Sequence, residues 1–247
     1  MQQYQVDADA LNGKIILVTG AGDGIGKQAA ISYAEHGATV VLLGRTVAKL
    51  EATYDEIVAL GAPQPAIIPL DLQGATEKHY EDMASTIEST LGRLDAVLHS
   101  AGELGVLSTI EQTDLESFEK VMKVNVTSHF MMTKALLPLI KKSEQGRIVF
   151  TSSSVGKKGR AFWSAYAISK FATEGLMQTL ADEMSNTRVR VNCINPGATR
   201  TAMRARAYPA EETEQLKTPL DLMPLYLYLM SDQSADINGQ SIDAQPK

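Results

Sequence analysis

A tyrosine and a lysine, Tyr166 and Lys170, lie four residues apart in a segment of helical periodicity, and together they could move a proton. Side chains four apart on a helix project from one face, so the two can share a site. A tyrosine with a pKa of about 10 is a poor proton carrier near neutrality. A cation within about 4–6 Å lowers such a pKa by roughly 1–3 units. The pair predicts acid–base chemistry on a substrate oxygen; the alternative is a structural tyrosine beside a solvated lysine.

A glycine-rich loop, Thr19–Gly26, predicts a second function, the binding of a phosphate group. The loop follows the apolar run Ile15–Val18 and precedes a helical segment. Glycine permits backbone angles closed to other residues and lets the chain approach a phosphate closely. The following helix offers unpaired N–H groups and the positive end of its dipole to a pyrophosphate. We expect a dinucleotide here, with a plain tight turn as the alternative. The candidate residues are Gly20, Gly22, Asp23, Gly24, Ile25 and Gly26.

Short apolar runs alternate with longer helical segments along the whole chain, and this alternation predicts the fold. The predicted strands are Ile15–Thr19, Thr39–Leu43, Ala66–Leu70, Ala96–His99, Ile148–Thr151, Val189–Ile194 and Ser241–Ile242. The predicted helices are Ile25–His36, Val47–Leu60, Thr76–Leu91, Leu115–Ile140, Trp163–Met184 and Leu220–Met230. Apolar runs without polar alternation are typical of parallel strands covered on both faces. We therefore expect a single α/β domain over residues 1–247, with a Rossmann-type, doubly wound, mostly parallel seven-stranded sheet. Ligands of such sheets bind beyond the carboxyl ends of the strands.

Composition excludes several other classes of protein. The chain has 247 residues, 23 Lys plus Arg and 29 Asp plus Glu, for a net charge of −6, which disfavours nucleic acid and anionic membranes as partners. Its single cysteine, Cys193, allows no internal disulfide or cysteine-based metal site, and it fits a reducing compartment. The opening segment Met1–Gly13 does not resemble a secretory signal, and apolar segments such as Leu222–Met230 fall short of the ~18 residues of a membrane span. We expect a cytoplasmic protein without a bound metal. The four histidines, His36, His79, His99 and His129, show no ligand spacing.

Several motifs in a fixed order resemble the short-chain dehydrogenase/reductase family. The loop reads Gly20-x-x-x-Gly24-x-Gly26, Ser153 follows the fifth predicted strand, and Tyr166-x-x-x-Lys170 comes thirteen residues after it. The resemblance covers the chain from about Leu11 to Ala244, and within the family it is nearest to the bacterial YciK-type oxidoreductases. It implies hydride transfer between a nicotinamide cofactor and a carbonyl or alcohol, with Tyr166 as the acid or base and Lys170 also holding the nicotinamide ribose.

The resemblance also implies roles for a serine and an asparagine. The resemblance implies that Ser153 orients the substrate carbonyl. Because Ser152 and Ser154 flank it, either of them could hold this role instead, and the alternative for the serine run is that it caps a turn. Asn125 matches an asparagine thought to hold a water that relays protons to the lysine. The implied proton path runs from the substrate oxygen through Tyr166, the ribose and Lys170 to that water.

The end of the second strand predicts which nicotinamide cofactor binds. Selectivity for NAD usually places Asp or Glu about 20 residues beyond the glycine loop. Here the segment Leu42–Thr46 has no acidic residue, and Arg45 offers a forked cation to a 2′-phosphate. NADP is therefore favoured over NAD; the alternative is that Arg45 is an exposed loop cation. Asp23 departs from the basic residue that many NADP-preferring relatives carry.

The remaining cofactor residues follow from the resemblance. Asp71 and Leu72 flank the adenine ring, although Asp71 could equally belong to a helix N-cap. Small residues after the fourth strand let the chain pass close to the cofactor, with Ser100 where the family usually has asparagine. The segment after the sixth strand contacts the nicotinamide end. The residues concerned are Asp71, Leu72, Ser100, Ala101, Gly102, Pro196, Gly197, Thr199 and Thr201.

Substrate identity is carried by less regular segments. Arg160, with Arg204 and Arg206, could bind an acidic substrate or belong to a solvated loop, and Trp163 could line the pocket or pack on the helix. The charged segment 202–218 matches the region that folds over the substrate in the family, so a mobile lid is expected. The implied substrate is a small carbonyl or alcohol.

The expected function is thus that of an NADP(H)-dependent oxidoreductase. The alternatives are a reductase of 3-oxoacyl thioesters and a nucleotide-binding regulatory protein without turnover. Relatives pair the two helices that correspond to Leu115–Ile140 and Trp163–Met184, which implies a homodimer or homotetramer.

Overall fold

Seven parallel strands form one sheet in the computed structural model, which describes residues 4–246. The strands are β1 (Ile15–Thr19), β2 (Thr39–Gly44), β3 (Ala66–Pro69), β4 (Ala96–His99), β5 (Arg147–Thr151), β6 (Arg190–Asn195) and β7 (Ser241–Asp243). Their order in the sheet is β3-β2-β1-β4-β5-β6-β7, and every neighbouring pair is parallel. The doubly wound Rossmann-type sheet is therefore confirmed, and it is parallel throughout. The strand limits differ from the predicted ones by one residue at most at either end.

Helices cover both faces of the sheet. They are α1 (Gly24–Glu35), α2 (Val47–Ala59), α3 (Glu77–Leu91), α4 (Leu115–Met122), α5 (Ser128–Ile140), α6 (Ser164–Glu183), α7 (Ala202–Ala207) and α8 (Met223–Met230). Alternate strand residues face opposite cores: Ile16 and Val18 pack with α1, α2 and α8, whereas Leu17 packs with α3, α5 and α6. This division explains why the strands have no polar alternation, because both faces of each central strand are buried.

The segment 115–140 differs from the single helix that its periodicity predicts. It consists of α4, a π-helical turn over Lys123–Thr127, and α5. Asn125 lies in the π turn, fully buried. The buried positions before and after this π turn keep a spacing of three or four residues, so the spacing alone does not reveal the turn.

The strand order reverses between β1 and β4, since the chain builds outward from β1 to β3 before crossing over to β4. The loops that follow β1 and β4 therefore separate, and they leave a crevice at the carboxyl edge of the sheet. Among residues 4–246, none of the helices combines the length and the apolar character that a membrane crossing requires. In the same part of the chain, no three His, Cys, Asp or Glu side chains are grouped as a metal site would need.

Candidate active site

A cleft of about 420 Å³ lies in this crevice, a size within the range of small-molecule sites. Its lining includes all the residues that we predicted to bind the cofactor, together with Ser153, Trp163 and the Tyr166–Lys170 pair. Of the predicted site residues, Asn125 and Arg160 do not line it. Residues more than 140 positions apart in the sequence thus share one cleft because β1, β4, β5 and β6 all end at the same edge of the sheet.

The glycine loop has the shape that a closely bound phosphate group requires. Gly20 has φ +70°, and a Cβ there would lie 3.1 Å from the Cα atom of Ala101. A Cβ on Gly26 would lie 2.4 Å from the carbonyl oxygen of Gly20, which real structures do not tolerate. The loop leads directly into α1, whose N-cap residue is Asp23. A narrow turn without side chains at a helix N-terminus fits a pyrophosphate.

Thr19 joins the glycine loop to the loop after β4. Its hydroxyl oxygen accepts hydrogen bonds from the backbone N–H groups of Ser100 and Ala101, each at 2.9 Å. The hydroxyl also donates to the carbonyl oxygen of Leu98 at 3.4 Å. This threonine joins the carboxyl ends of β1 and β4.

The far end of the cleft is cationic. Arg45 is exposed at the cleft wall, and Thr46 is the N-cap of α2. Lys49, in the first turn of α2, also lines the cleft and forms an ion pair with Asp23. This pair holds the pKa of the Asp23 carboxyl below its usual range. Lys49 was missed in the sequence analysis, although its place in the first turn of the helix that follows Arg45 is the signal that could have found it.

Asp71 lies at the side of the cleft, on the loop after β3. Its carboxylate accepts a hydrogen bond from the backbone N–H of Gln73 at 3.1 Å, so part of its function is to shape the turn. Its side chain remains exposed, and Leu72 beside it is buried. The position is compatible with both interpretations that the sequence left open.

Tyr166 and Lys170 project from one face of α6 into the cleft. The Lys170 Nζ atom lies 5.5 Å from the centroid of the Tyr166 ring and donates a hydrogen bond to the carbonyl oxygen of Thr151 at 2.7 Å. Burial raises the pKa of Tyr166 to about 12, against an opposing hydrogen bond from Ser153. Burial also lowers the pKa of Lys170 to about 8. The spacing predicts a tyrosine with a lowered pKa, whereas in the structure removal from water outweighs the nearby cation.

Ser153 lies in the loop after β5, within hydrogen-bonding reach of Tyr166. Its two neighbours point elsewhere. Ser152 is buried and donates a hydrogen bond to the carboxylate of Glu174, and Ser154 is exposed at the start of a 3-10 turn. Of the three serines, the geometry favours Ser153 as the one that meets a substrate oxygen beside Tyr166.

The side chain of Asn125 is occupied by protein partners. Its Oδ1 atom accepts a hydrogen bond from the backbone N–H of Glu103 at 2.7 Å. Its Nδ2 atom donates to the carbonyl oxygen of Glu103 and to the Ser169 hydroxyl, each at 2.9 Å. The asparagine thus joins the loop after β4 to α6, and it lies behind the cleft rather than in its wall.

The chain is similar to known proteins of one family over most of its length. The family model described as short chain dehydrogenase matches residues 14–212. The chain belongs to the short-chain dehydrogenase family. It is 54% identical over 243 residues to the oxidoreductase YciK of Escherichia coli strain K12, an alignment that covers 98% of this chain and 96% of that protein. It is accordingly an oxidoreductase of this family.

Two solved structures of short-chain dehydrogenases are similar over nearly the whole chain. One, from Shigella flexneri 2a strain 301, is complexed with NADP; it is 53% identical, with a TM-score of 0.95 and coverage of 97% of this chain and 100% of that one. The other, from Escherichia coli CFT073, is complexed with NADPH; it is 54% identical, with a TM-score of 0.95 and coverage of 98% and 100%.

An aromatic and cationic cluster forms the rim of this short-chain dehydrogenase's cleft. The Trp163 ring lies 5.7 Å from the ring of Tyr166 and 5.9 Å from that of Tyr208, so it both lines the cleft and packs on its neighbours. Arg160 donates a hydrogen bond to the Tyr208 hydroxyl and lies outside the cleft, contrary to the prediction that it lines the substrate site. Its guanidinium instead packs over the two aromatic rings.

The other two arginines of the predicted acid-binding group also have partners. Arg204 forms an ion pair with Glu211, and Arg206 lies 3.5 Å from a carboxylate oxygen of Glu103. Arg200 donates to the carbonyl oxygens of Thr213 and Glu214, each at 2.8 Å. These bonds fix the segment 202–218, which comprises α7 and a 3-10 turn over Thr213–Gln215.

A residue near the carboxyl end, Gln245, was missed because no motif marks it. Its Nε2 atom donates to the carbonyl oxygens of Pro196 and Ala198 at 2.8 and 2.9 Å. A Cβ on Gly197 would lie 3.1 Å from the same nitrogen. Gln245 therefore holds the loop after β6 in place where it forms part of the cleft wall.

Two histidines of this dehydrogenase are buried behind the cleft. His99 stacks on Phe150 with ring centroids 4.6 Å apart, and His129 lies 4.9 Å from His99. Burial lowers the pKa of both, that of His129 to about 3. They are packed neutral side chains, as the missing ligand spacing indicates.

Proposed function

We propose that this enzyme transfers a hydride between NADPH and the carbonyl group of a small substrate, with Tyr166 as the proton donor. The observation that carries the proposal is the placement of the Tyr166–Lys170 pair at one end of a cleft whose other end is the glycine loop and Arg45. NADPH, when bound, supplies the hydride to the carbonyl carbon. The protein must then supply one proton to the carbonyl oxygen.

Three residues provide that proton and orient the carbonyl. At neutral pH Tyr166, with a pKa of about 12, retains its proton, and its hydroxyl can donate it to the substrate oxygen. Lys170, with a pKa of about 8, is mainly an ammonium ion at that pH, and it stabilises the phenolate left behind. Ser153 donates a hydrogen bond to the same substrate oxygen. In the oxidation of an alcohol the proton moves the opposite way.

The choice of NADPH over NADH is supported by the cationic end of the cleft. Arg45, Lys49 and the N-terminus of α2 can meet a 2′-phosphate, and β2 ends at Gly44 without the acidic residue that would hold a 2′-hydroxyl. The similar structures that contain NADP and NADPH support the same choice.

We assign Asn125 a positioning function in this reaction. Its three hydrogen bonds fix Glu103 at the cleft wall and join that loop to α6 through Ser169. A proton relay through its side chain is not needed for this function.

The segment 202–218 and Trp163 cover the substrate end, so this segment acts as the lid.

Assembly into a homo-oligomer is part of the proposal. Large apolar side chains are exposed on the two helices that relatives pair, namely Phe130 on α5 and Ile168 and Phe171 on α6. Light scattering on the purified protein distinguishes the monomer from a dimer or tetramer.

The test combines cofactor binding with turnover. We expect NADPH to raise the melting temperature more than NADH does, and we expect NADPH oxidation with at least one member of a panel of ketones, aldehydes and 3-oxoacyl thioesters. Tyr166→Phe should fold and bind NADPH but lose turnover by roughly 10²- to 10⁴-fold. Tyr54→Phe, outside the cleft on α2, is the matched control and should keep full activity.

Two results would overturn the proposal. Strong stabilisation by NADPH without turnover on the whole panel would favour a nucleotide-binding regulatory protein. Wild-type turnover in Tyr166→Phe would show that another group donates the proton.

A further inference from the structure

Glu174 is a buried carboxylate that the proposed mechanism leaves without a function. It lies on α6, one helical turn after Lys170, and only 6% of it is exposed. Its Oε1 atom accepts a hydrogen bond from the Ser152 hydroxyl and another from the Ser241 hydroxyl at 2.8 Å. Isolated charges are rarely buried, because their removal from water is costly without partners. The three residues come from α6, the end of β5 and β7, so the carboxylate joins three elements.

Two uncharged hydroxyl groups donate hydrogen bonds to the Glu174 carboxylate, and the Cys193 thiol lies within hydrogen-bonding distance of it. Hydrogen bonds donated to a carboxylate favour its ionised form. A cation close to a buried carboxylate adds to this stabilisation. The buried ammonium group of Lys170 is one turn away on the same helix.

The charged and titratable groups around Lys170 come from four directions. Tyr166 and Glu174 are on α6 itself, and Cys193 approaches from β6. His129 faces it from α5, where the charge of Lys170 helps to lower the histidine pKa. Further out, Lys157 forms an ion pair with Asp243 of β7 at 3.0 Å. Burial lowers the pKa of Lys170, and the neighbouring Cys193 and Glu174 side chains, in that order, oppose the change.

Of the groups named above, Glu174 is the buried carboxylate that lies on the same helix as Lys170. Burial and the neighbouring carboxylate raise the pKa of the Cys193 thiol far above its ordinary value, so that thiol is neutral. Tyr166 is protonated at neutral pH, and His129 is neutral. Asp243 is already paired with Lys157 and with the Asn195 side chain.

We propose that Glu174 is a positioning residue of the active site, whose buried carboxylate keeps Lys170 in its ammonium form and fixes the loop that carries Ser153. This inference rests on the proposed function, because it assigns Lys170 the task of stabilising the Tyr166 phenolate. The second part follows from the hydrogen bond of Ser152, which immediately precedes Ser153. One carboxylate thus supports both residues that flank the reacting tyrosine.

The first experiment measures the pH dependence of NADPH-driven carbonyl reduction in Glu174→Gln. The amide keeps the size of the side chain but removes the charge. In the wild type, the alkaline limb of the kcat profile reports the loss of the Lys170 proton near pH 8. We expect this limb to move to lower pH by about one unit or more in Glu174→Gln. For a shift of one unit, turnover at pH 8 should fall about 5-fold, with a smaller change at pH 6.

Two control variants separate charge from packing. Ser241→Ala removes one hydrogen bond and leaves the carboxylate, so its alkaline limb should stay near that of the wild type. Glu174→Asp restores the negative charge, so its alkaline limb should lie close to that of the wild type. Equal loss of turnover at every pH in Glu174→Gln, with an unmoved limb, would mean that the residue is merely structural and would overturn the inference.

The second experiment does not depend on turnover, so it separates this inference from the proposed function. The side chains of ¹³C,¹⁵N-labelled lysines are titrated by NMR, and the Lys170 signal is assigned by its absence in Lys170→Arg. We expect its titration midpoint to be lower in Glu174→Gln than in the wild type. If the midpoint falls but the enzyme reduces no carbonyl, the coupling between Glu174 and Lys170 stands and the proposed reaction is rejected. An unchanged midpoint would reject the coupling itself.

Discussion

Replacement of Gly26 by alanine tests the cofactor seat most directly. A Cβ at this position would lie 2.4 Å from the Gly20 carbonyl oxygen and 3.0 Å from that of Thr19, and both neighbours are backbone atoms that no rotamer change can move aside. Overpacking of this kind costs about 1–3 kcal/mol. For a chain of this length, 1 kcal/mol corresponds to a change of roughly 2–4 °C in melting temperature, so Gly26→Ala should melt about 2–12 °C below the wild type.

The same substitution should weaken cofactor binding, because the loop must open to relieve the contact. NADPH at about 100 times its Kd stabilises a folded protein by about 2.7 kcal/mol. In the wild type this corresponds to a rise of roughly 5–11 °C in melting temperature. We expect Gly26→Ala to lose most of that rise at the same NADPH concentration.

The assay is thermal unfolding followed by circular dichroism, with and without NADPH. Gly175→Ala is the matched control, since Gly175 lies within α6 and a Cβ there meets nothing within 4 Å. Alanine in a helix interior is better than glycine by about 1 kcal/mol, so this variant should melt slightly higher and keep the full response to NADPH. A Gly26→Ala protein with the wild-type melting temperature and the wild-type NADPH response would refute the assignment of this loop as the cofactor seat.

Three further predictions follow from other parts of the structure. Arg45→Glu should weaken NADPH binding by roughly 10- to 100-fold in titration calorimetry and change NADH binding far less, because it removes the charged hydrogen bond that we propose Arg45 donates to the 2′-phosphate. Gln245→Ala should raise the KM for NADPH with little change in kcat, because it releases the loop after β6, whereas the exposed Gln240→Ala should leave steady-state kinetics unchanged. In the folded protein His99 and His129 bind no proton near neutrality, whereas in the unfolded chain they bind one below about pH 6.5. The free energy of unfolding should therefore fall by roughly 1 kcal/mol for each histidine between pH 7 and 5.5. Thermal melts should show this loss, and it should shrink in the His99→Gln, His129→Gln double variant.

Each of these has a distinct contrary result. Equal losses for NADPH and NADH in Arg45→Glu would make Arg45 a general contributor to the cleft rather than a determinant of cofactor choice. A Gln245→Ala enzyme with an unchanged KM would show that the loop after β6 holds its shape without the Gln245 side chain. A double histidine variant as sensitive to acid as the wild type would place the acid sensitivity in other groups.

The parts of the fold that depend on local sequence could be predicted closely. The seven strands agree with their apolar runs, most clearly in the centre of the sheet, because strands buried on both faces are mainly apolar. The glycine loop was predictable for a related reason, since the contact of Gly26 with the Gly20 carbonyl leaves no room for any other residue. Such positions permit few residue types, so the sequence itself reports the geometry.

The parts that depend on contacts between distant segments could not be predicted. Gln245 acts on the loop after β6 from nearly 50 residues away, and no periodicity connects the two. The π turn at Asn125 leaves the helical pattern of its segment intact, although it places the amide against Glu103. The sequence left two interpretations of Arg160, which with Arg204 and Arg206 could bind an acidic substrate or could belong to a solvated loop. The fold instead supplies a partner from Tyr208 in the segment that covers the cleft.

The clearest example of this limit is the active-site pair, where proximity was predictable but its electrostatic result was not. Spacing on a helix places Lys170 beside Tyr166, and in water that would lower the pKa of the phenol. The fold removes both groups from water, which raises the pKa of Tyr166 to about 12 and lowers that of Lys170 to about 8. A phenol and an ammonium are the forms that donate a proton to a carbonyl oxygen as it becomes an alcohol. At neutral pH these residues therefore favour reduction, whereas oxidation of an alcohol requires the phenolate and should become faster as the pH rises.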